Sequence, residues 1–143
     1  MRTWHDFAII CLWGPALAAL LPACGSTDAP AETPESRGAT VWKDQICASC
    51  HGEDAKGLHG PNITMSISAG IGSWTYQQVS DAVHLGKNKD GTDLCLLMTR
   101  FPVTDTTCPT CTISEAEMQD LYAYLKTKPV SDVMNQGDYC PKK

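Results

Sequence analysis

The hydrophobic pattern of the chain predicts three helices joined by long connections. Apolar residues recur at helical spacing in three stretches. The first runs from Ala39 into residues 47–51, the second from Thr75 to Leu85, and the third begins after Ser114. No stretch alternates apolar and polar residues as a half-buried strand would, so the pattern predicts an all-α fold.

The second and third helices carry clear terminal signals. The second is expected to end at Gly86, because glycine readily takes the left-handed conformation that closes a helix. Ser114 and Glu117 form a capping box at the start of the third helix, and Pro129 ends it. Its apolar positions follow at i, i+3, i+4 and i+7: Met118, Leu121, Tyr122 and Leu125.

An apolar run from Phe7 to Leu21 precedes these helices and is too short for a comfortable transmembrane span. With one basic residue before it, the run predicts an export signal over residues 1–23. The segment that closes it, Leu21-Pro22-Ala23-Cys24, resembles the lipobox of bacterial lipoproteins, in which the cysteine is diacylated and becomes the mature N-terminus. An ordinary secretory signal with an incidental cysteine is the alternative.

Composition divides the rest of the chain into three parts. Residues 24–37 are rich in proline, acidic and small residues, which predicts a disordered tether. The folded domain is expected over residues 38–130 and a C-terminal tail over 131–143. The formal net charge of −5 argues against nucleic acid and for a partner with a basic docking patch. A merely solvated acidic surface would explain the charge equally well.

The strongest chemical signal is the pentapeptide Cys47-Ala48-Ser49-Cys50-His51. Two cysteines at this spacing, followed by a histidine, form the attachment motif of a c-type haem. Each thiol adds to one haem vinyl group, and His51 becomes the proximal ligand of the iron. A zinc site would need a second ligand pair, and a redox dithiol would not need the histidine. The motif occurs once, so one covalent haem c is expected.

The other face of the iron could be ligated by a methionine or a second histidine. The candidates are Met65, Met98, Met118, Met134, His59 and His84. Met118 belongs to the apolar stripe of the third helix, and Met134 lies in the polar tail. We favour Met98, which follows the apolar residues 94–97 in a loop between two helices. A thioether there would give six-coordinate His/Met iron with a raised potential.

These motifs together resemble class I (mitochondrial-type) bacterial cytochromes c. The matching elements are, in order, Cys-x-x-Cys-His-Gly at 47–52, Gly60-Pro61-Asn62, Val-x-x-Gly at 83–86, the methionine loop, and Tyr122-Ala123-Tyr124-Leu125. The resemblance implies a small cytochrome c fold, with three main helices and long loops wrapped around one covalently bound haem.

The resemblance also implies two contacts. The Pro61 carbonyl should accept a hydrogen bond from the second nitrogen of His51, and Gly38 or Ala39 should meet Tyr122 where the first and last helices cross. The chain departs from the family pattern in two places. Its aromatic residue, Trp42, lies five rather than four positions before the first haem cysteine, and no proline follows the ligand methionine.

Four further cysteines distinguish this chain: Cys95, Cys108, Cys111 and Cys140. In an exported protein an even number suggests disulfides. We expect Cys95 to pair with Cys108 or Cys111, which would cross-link the methionine loop, and a second bridge to hold the tail through Cys140. A redox role for the Cys-x-x-Cys at 108–111 is weaker, because no βαβ pattern or helix N-terminus is predicted there to lower a thiol pKa.

The sequence therefore predicts an electron-transfer protein rather than an enzyme. It would be anchored by lipid on the periplasmic side of a bacterial membrane, inner or outer, and would exchange electrons with redox protein partners. No small-molecule substrate is expected, and no glycine-rich nucleotide loop supports autonomous catalysis. The alternatives are a haem enzyme or gas sensor with an open or labile sixth ligand site, or the haem subunit of a dehydrogenase complex.

Overall fold

The computed structural model describes residues 31–137, so the predicted export signal, Cys24 and Cys140 lie outside the described residues. The described residues form four α-helices: α1 (Pro34–Asp44), α2 (Ala48–His51), α3 (Tyr76–Leu85) and α4 (Glu115–Thr127), with a 3-10 helix at Pro109–Cys111. Over this range there is no strand, and only an isolated bridge joins Lys87 to Asp93. The predicted all-α fold is confirmed. None of the described helices is long and apolar enough to cross a membrane.

Helix α1 begins earlier than predicted. The Thr33 side chain accepts a hydrogen bond from the backbone N–H of Ser36 (3.2 Å), and Pro34 occupies a first-turn position that needs no N–H partner. Arg37 then pairs with Asp120 of α4 through two hydrogen bonds of 2.6 and 2.8 Å. The prediction that the disordered tether extends to residue 37 is therefore wrong, since proline and acidic residues suit a helix start as well as a linker.

The turn after α1 accommodates the extra residue before the haem motif. Ile46 has a φ of +50°, and its N–H donates to the Lys43 carbonyl, while the N–H of Cys47 donates to the Trp42 carbonyl. This is the hydrogen-bond pattern of a Schellman motif, here with a β-branched residue in the strained left-handed position. Trp42 thereby keeps its place in the core, where it is 3% exposed.

Helices α1 and α4 cross at Gly38. A Cβ atom at this position would lie 2.0 Å from the Asp120 carbonyl oxygen and 2.7 Å from the Tyr124 Cβ. Gly38 thus meets Asp120 and Tyr124 rather than Tyr122, whose ring packs edge-on against Tyr76 at 5.4 Å. The alternative contact of Ala39 with Tyr122 stays a prediction. Side chains two positions apart on a helix point about 200° from each other, so the two tyrosines serve different contacts.

The boundaries predicted for α3 and α4 are confirmed. Thr75 and Ser114 each form a capping box, and Gly86 closes α3 with a left-handed φ of +66°. The apolar stripe of α4 joins residues of α1, α3 and the loops in one core. Its buried members are Val41, Trp42, Ala55, Ile71, Val79, Ile113, Met118, Leu121 and Leu125.

Residues 131–137, which we call the C-terminal strap, lie against the domain. The Asn62 side-chain amide donates to the carbonyls of Ser131 (2.7 Å) and Val133 (2.9 Å), and its backbone N–H donates to the Asn135 carbonyl (2.8 Å). Asp132 accepts a hydrogen bond of 2.6 Å from the Ser66 hydroxyl. Composition had predicted a tail beyond the core, but in residues 131–137 backbone carbonyls supply the contacts, and composition does not report these.

Asp132 makes the strap sensitive to acid. Hydrogen bonds from Ser66 and Ser68 lower the pKa of Asp132, so its stabilising effect is complete above the unfolded pKa, about 4, and is lost as the pH falls through the lowered folded value. We expect amide protection at Asn62 to decline over that acidic window. Asp132→Asn, which keeps an acceptor but does not titrate, should abolish this dependence.

The control for this experiment is Asp105→Asn. The pKa of Asp105 is also lowered, first by its hydrogen bond with Thr107, but Asp105 caps a different loop. Amide hydrogen exchange measured against pH should follow the native profile in this control. A native profile in Asp132→Asn would contradict the assignment.

Candidate functional site

One helical turn carries the Cys-x-x-Cys-His motif. The N–H of His51 donates to the Cys47 carbonyl (3.0 Å), so Cys47, Cys50 and His51 stand at i, i+3 and i+4 and share one face of this turn. Both cysteines are free thiols. Cys50 is exposed, whereas burial raises the pKa of the half-buried Cys47 thiol to about 11. The turn therefore presents two thiols and an imidazole together.

His51 is held in a single tautomer. Its ring is buried, and Nδ1 lies 2.9 Å from the Pro61 carbonyl oxygen, which can only accept a hydrogen bond. Nδ1 must carry the proton, so Nε2 keeps its lone pair. Burial lowers the pKa of His51, and the hydrogen bond to Pro61 opposes this effect in part. The imidazole is therefore neutral at pH 7, which is the form that binds a metal.

The loop after α2 folds back to bring Pro61 under the imidazole. The N–H of Gly60 donates to the Cys50 carbonyl (2.7 Å), and that of Gly57 donates to the His51 carbonyl (2.9 Å). A Cβ atom at Gly60 would lie 3.0 Å from Cε1 of His51. The glycine thus lets the backbone pass close to the ring, and the next residue supplies the accepting carbonyl.

The Met98 loop, residues 94–101, is fastened at both ends to the C-terminal end of α3. The N–H of Leu94 donates to the Gly86 carbonyl (2.7 Å), and that of Phe101 donates to the Val83 carbonyl (3.0 Å). Met98 itself is half-buried. The apolar side chains of Leu96 and Leu97 are exposed, at 89% and 64%. The loop therefore presents a thioether beside an uncovered apolar surface.

The disulfides differ from the prediction. Cys108 pairs with Cys111, so the predicted bond from Cys95 to one of these two is wrong. The 3-10 helix that contains Pro109 brings the two Cα atoms to 5.3 Å, well within disulfide range. Cys95 is disulfide-bonded as well. A bridge through Cys140 stays a prediction.

Two polar side chains near the Met98 loop have roles that sequence reasoning missed. His84, one of the candidate ligands of the iron, donates from Nδ1 to the Phe101 carbonyl. Arg100 donates to backbone carbonyls of its own loop. No sequence signal marks either contact, because backbone carbonyls are the acceptors and every residue has one.

The amino-acid sequence was compared with known protein families and individual proteins. The sequence profile of cytochrome c matches residues 35–129. The chain belongs to the cytochrome c family. It is also 40% identical over 63 residues to cytochrome c-551 of Bacillus subtilis (strain 168), over 38% of this chain and 55% of that relative. The aligned region thus spans just over half the length of the relative.

Membership of the cytochrome c family implies covalently bound haem c, and the residues present fit this group. Cys47 and Cys50 are unpaired thiols on one helical turn, and His51 offers a neutral nitrogen from a buried ring. The second Cys-x-x-Cys, at 108–111, is closed by a disulfide and is followed by threonine. Only the first pair therefore has the donor chemistry that thioether attachment requires.

Proposed function

We propose that this chain is a single-haem electron carrier whose iron is ligated by His51 and Met98. The observation that carries the proposal is the hydrogen bond between His51 Nδ1 and the Pro61 carbonyl, because it fixes both the tautomer and the orientation of the imidazole. When bound, haem c supplies reversible one-electron transfer. The protein then has to hold its ligands in one arrangement through both redox states.

Met98 suits the sixth position because its loop is anchored on both sides. Leu94 and Phe101 are hydrogen-bonded to the end of α3, so the residues between them form a closed loop of fixed span. A thioether is a soft ligand that raises the potential of haem iron, and the unbranched methionine side chain adapts readily to a bound group. Both properties favour a carrier over an enzyme that binds substrate at iron.

The proposed setting is outside the cytoplasm. Haem attachment through Cys-x-x-Cys-His takes place after export, and the predicted lipid on Cys24 would anchor the protein to a membrane with more than one acyl chain. With α1 beginning at Pro34, the linker between anchor and domain is shorter than composition suggested. The partners would be redox proteins, and the net charge of −5 favours basic docking patches on them.

A redox titration of the mature protein tests Met98 as a ligand. Met98→Ala should lower the midpoint potential by on the order of 100 mV or more, since the choice of axial ligand spans about 0.8 V in haem proteins. Met134→Ala is the matched control, because Met134 is an exposed methionine of the C-terminal strap. An unchanged potential in Met98→Ala, or an equal fall in both variants, would refute the assignment.

A further inference from the structure

The guanidinium of Arg100 holds three carbonyls of the Met98 loop. Nη1 donates to the carbonyls of Cys95 (3.1 Å) and Met98, and Nη2 donates to that of Leu94 (3.3 Å). The acceptors lie on both flanks of the loop tip, Leu96 and Leu97. Arginine can bind them together because its donors are fixed in one plane and point in several directions. The side chain thus cross-links the loop to itself.

This cross-link rests on the cap of α3. The guanidinium packs so closely on Gly86 that a Cβ atom there would lie 2.1 Å from Nε and 2.5 Å from Cζ of Arg100. Gly86 is also the residue whose carbonyl accepts from Leu94, and its φ of +66° favours glycine. The backbone next to Arg100 is fixed too, because Phe101 bonds to Val83 and His84. Arg100 therefore packs against the hydrogen-bonded C-terminal end of α3.

We infer that Arg100 is a positioning residue that keeps Met98 on the iron. The inference rests on the proposed ligation by Met98. Hydrogen bonds from a charged donor are stronger than neutral ones, and these three hold the segment that carries the thioether. Without them the carbonyls of residues 94, 95 and 98 turn to water, and the loop opens more often. Each opening exposes the iron to an exogenous ligand.

Carbon monoxide binding to the reduced protein measures this opening, because the gas binds only when Met98 has left. Arg100→Met removes the donors at similar length, and we expect it to bind carbon monoxide about tenfold faster or more. Arg100→Lys keeps the charge but not the planar fork, and should also bind faster. Gly86→Ala keeps the arginine but places a methyl group where the guanidinium packs, and should also bind carbon monoxide faster than the native protein.

Arg37→Met is the matched control. Arg37 also makes three hydrogen bonds, two to Asp120 and one to the Glu32 carbonyl, but it joins α1 to α4. This variant loses the same charge and should bind carbon monoxide at the native rate when measured well below its unfolding temperature.

The outcomes separate the two proposals. Native binding rates in Arg100→Met and Arg100→Lys would overturn the positioning role, as would equal acceleration in the Arg37→Met control. Gly86→Ala keeps the test decisive if an Arg100 variant does not fold. Prompt binding by the unaltered protein would overturn the ligation by Met98 itself, and the positioning role with it.

Discussion

A chain in which Cys47 and Cys50 are both changed to alanine should retain no haem after denaturing electrophoresis. Cys47 is the N-cap of the short helix α2 and Cys50 lies within it next to His51, and both thiols are free in the described structure. Thioether bonds are covalent and survive denaturation, whereas haem held only by axial ligands dissociates when the protein unfolds. Haem staining of the gel, with immunodetection of the chain, gives the readout.

The chain supplies its own control for this experiment. Cys108→Ala with Cys111→Ala removes the other Cys-x-x-Cys pair, which forms a disulfide on the 3-10 helix. Haem staining should persist in this variant at the native level per chain. Staining that survives the loss of Cys47 and Cys50, or that disappears with Cys108 and Cys111, would contradict the assigned attachment site.

Gly38→Val should destabilise the domain by about 3 kcal/mol or more. Any side chain at this position meets backbone rather than a flexible neighbour, because its Cβ atom would lie 2.0 Å from the Asp120 carbonyl oxygen. Overpacking of a core typically costs about 1–3 kcal/mol, and here α1 and α4 must separate. The separation also strains the Arg37–Asp120 ion pair and the contact between the Trp42 and Tyr124 rings, 6.1 Å apart.

Denaturant unfolding of the haem-containing protein measures the effect, as a lower midpoint at an unchanged slope. Thr40→Ala, on the exposed side of α1, is the matched control and should shift the midpoint little. Gly38→Ala should lie between Thr40→Ala and Gly38→Val. Equal midpoints for Gly38→Val and Thr40→Ala would mean that the helices do not cross at Gly38.

The elements that could be predicted from sequence have local causes. The capping box at Ser114 and the left-handed glycine at position 86 act within a single turn, so adjacent residues suffice to locate the helix ends. The Cys-x-x-Cys-His motif is local in the same sense, since one turn of α2 brings its three functional side chains together. A function that depends only on the spacing of residues along the chain can therefore be predicted from the sequence.

Two features were mispredicted, one of them local and the other dependent on a distant residue. Cys108 and Cys111 have the shortest separation among the four extra cysteines, but sequence cannot show that a 3-10 turn brings them together. The start of α1 was missed because its first turn is rich in proline and charged residues, which also suit a linker. What holds this turn in place is the bond from Arg37 to Asp120, 83 residues away. Composition describes the average behaviour of a segment, not its partner.

The site shows the same division. Met98 could be proposed from sequence as a ligand because an apolar loop between helices suits a thioether, and that assignment stays a prediction. Arg100 could not be interpreted, since its acceptors are carbonyls that any residue would offer. Asn62 could be recognised only as part of the Gly-Pro-Asn motif. In the structure its side-chain oxygen accepts a hydrogen bond from the Thr64 N–H, and its side-chain nitrogen donates to the Ser131 carbonyl of the C-terminal strap. Such roles depend on which backbone groups the fold brings near.

The optical spectrum of the reduced, haem-containing protein before and after addition of carbon monoxide tests the central claim most directly. Ligation by both His51 and Met98 leaves no position free on the iron, so the account predicts a spectrum that does not change on mixing. A prompt change would contradict it: the sixth position would then be open or weakly held, and a haem enzyme or gas sensor would describe this chain better than an electron carrier.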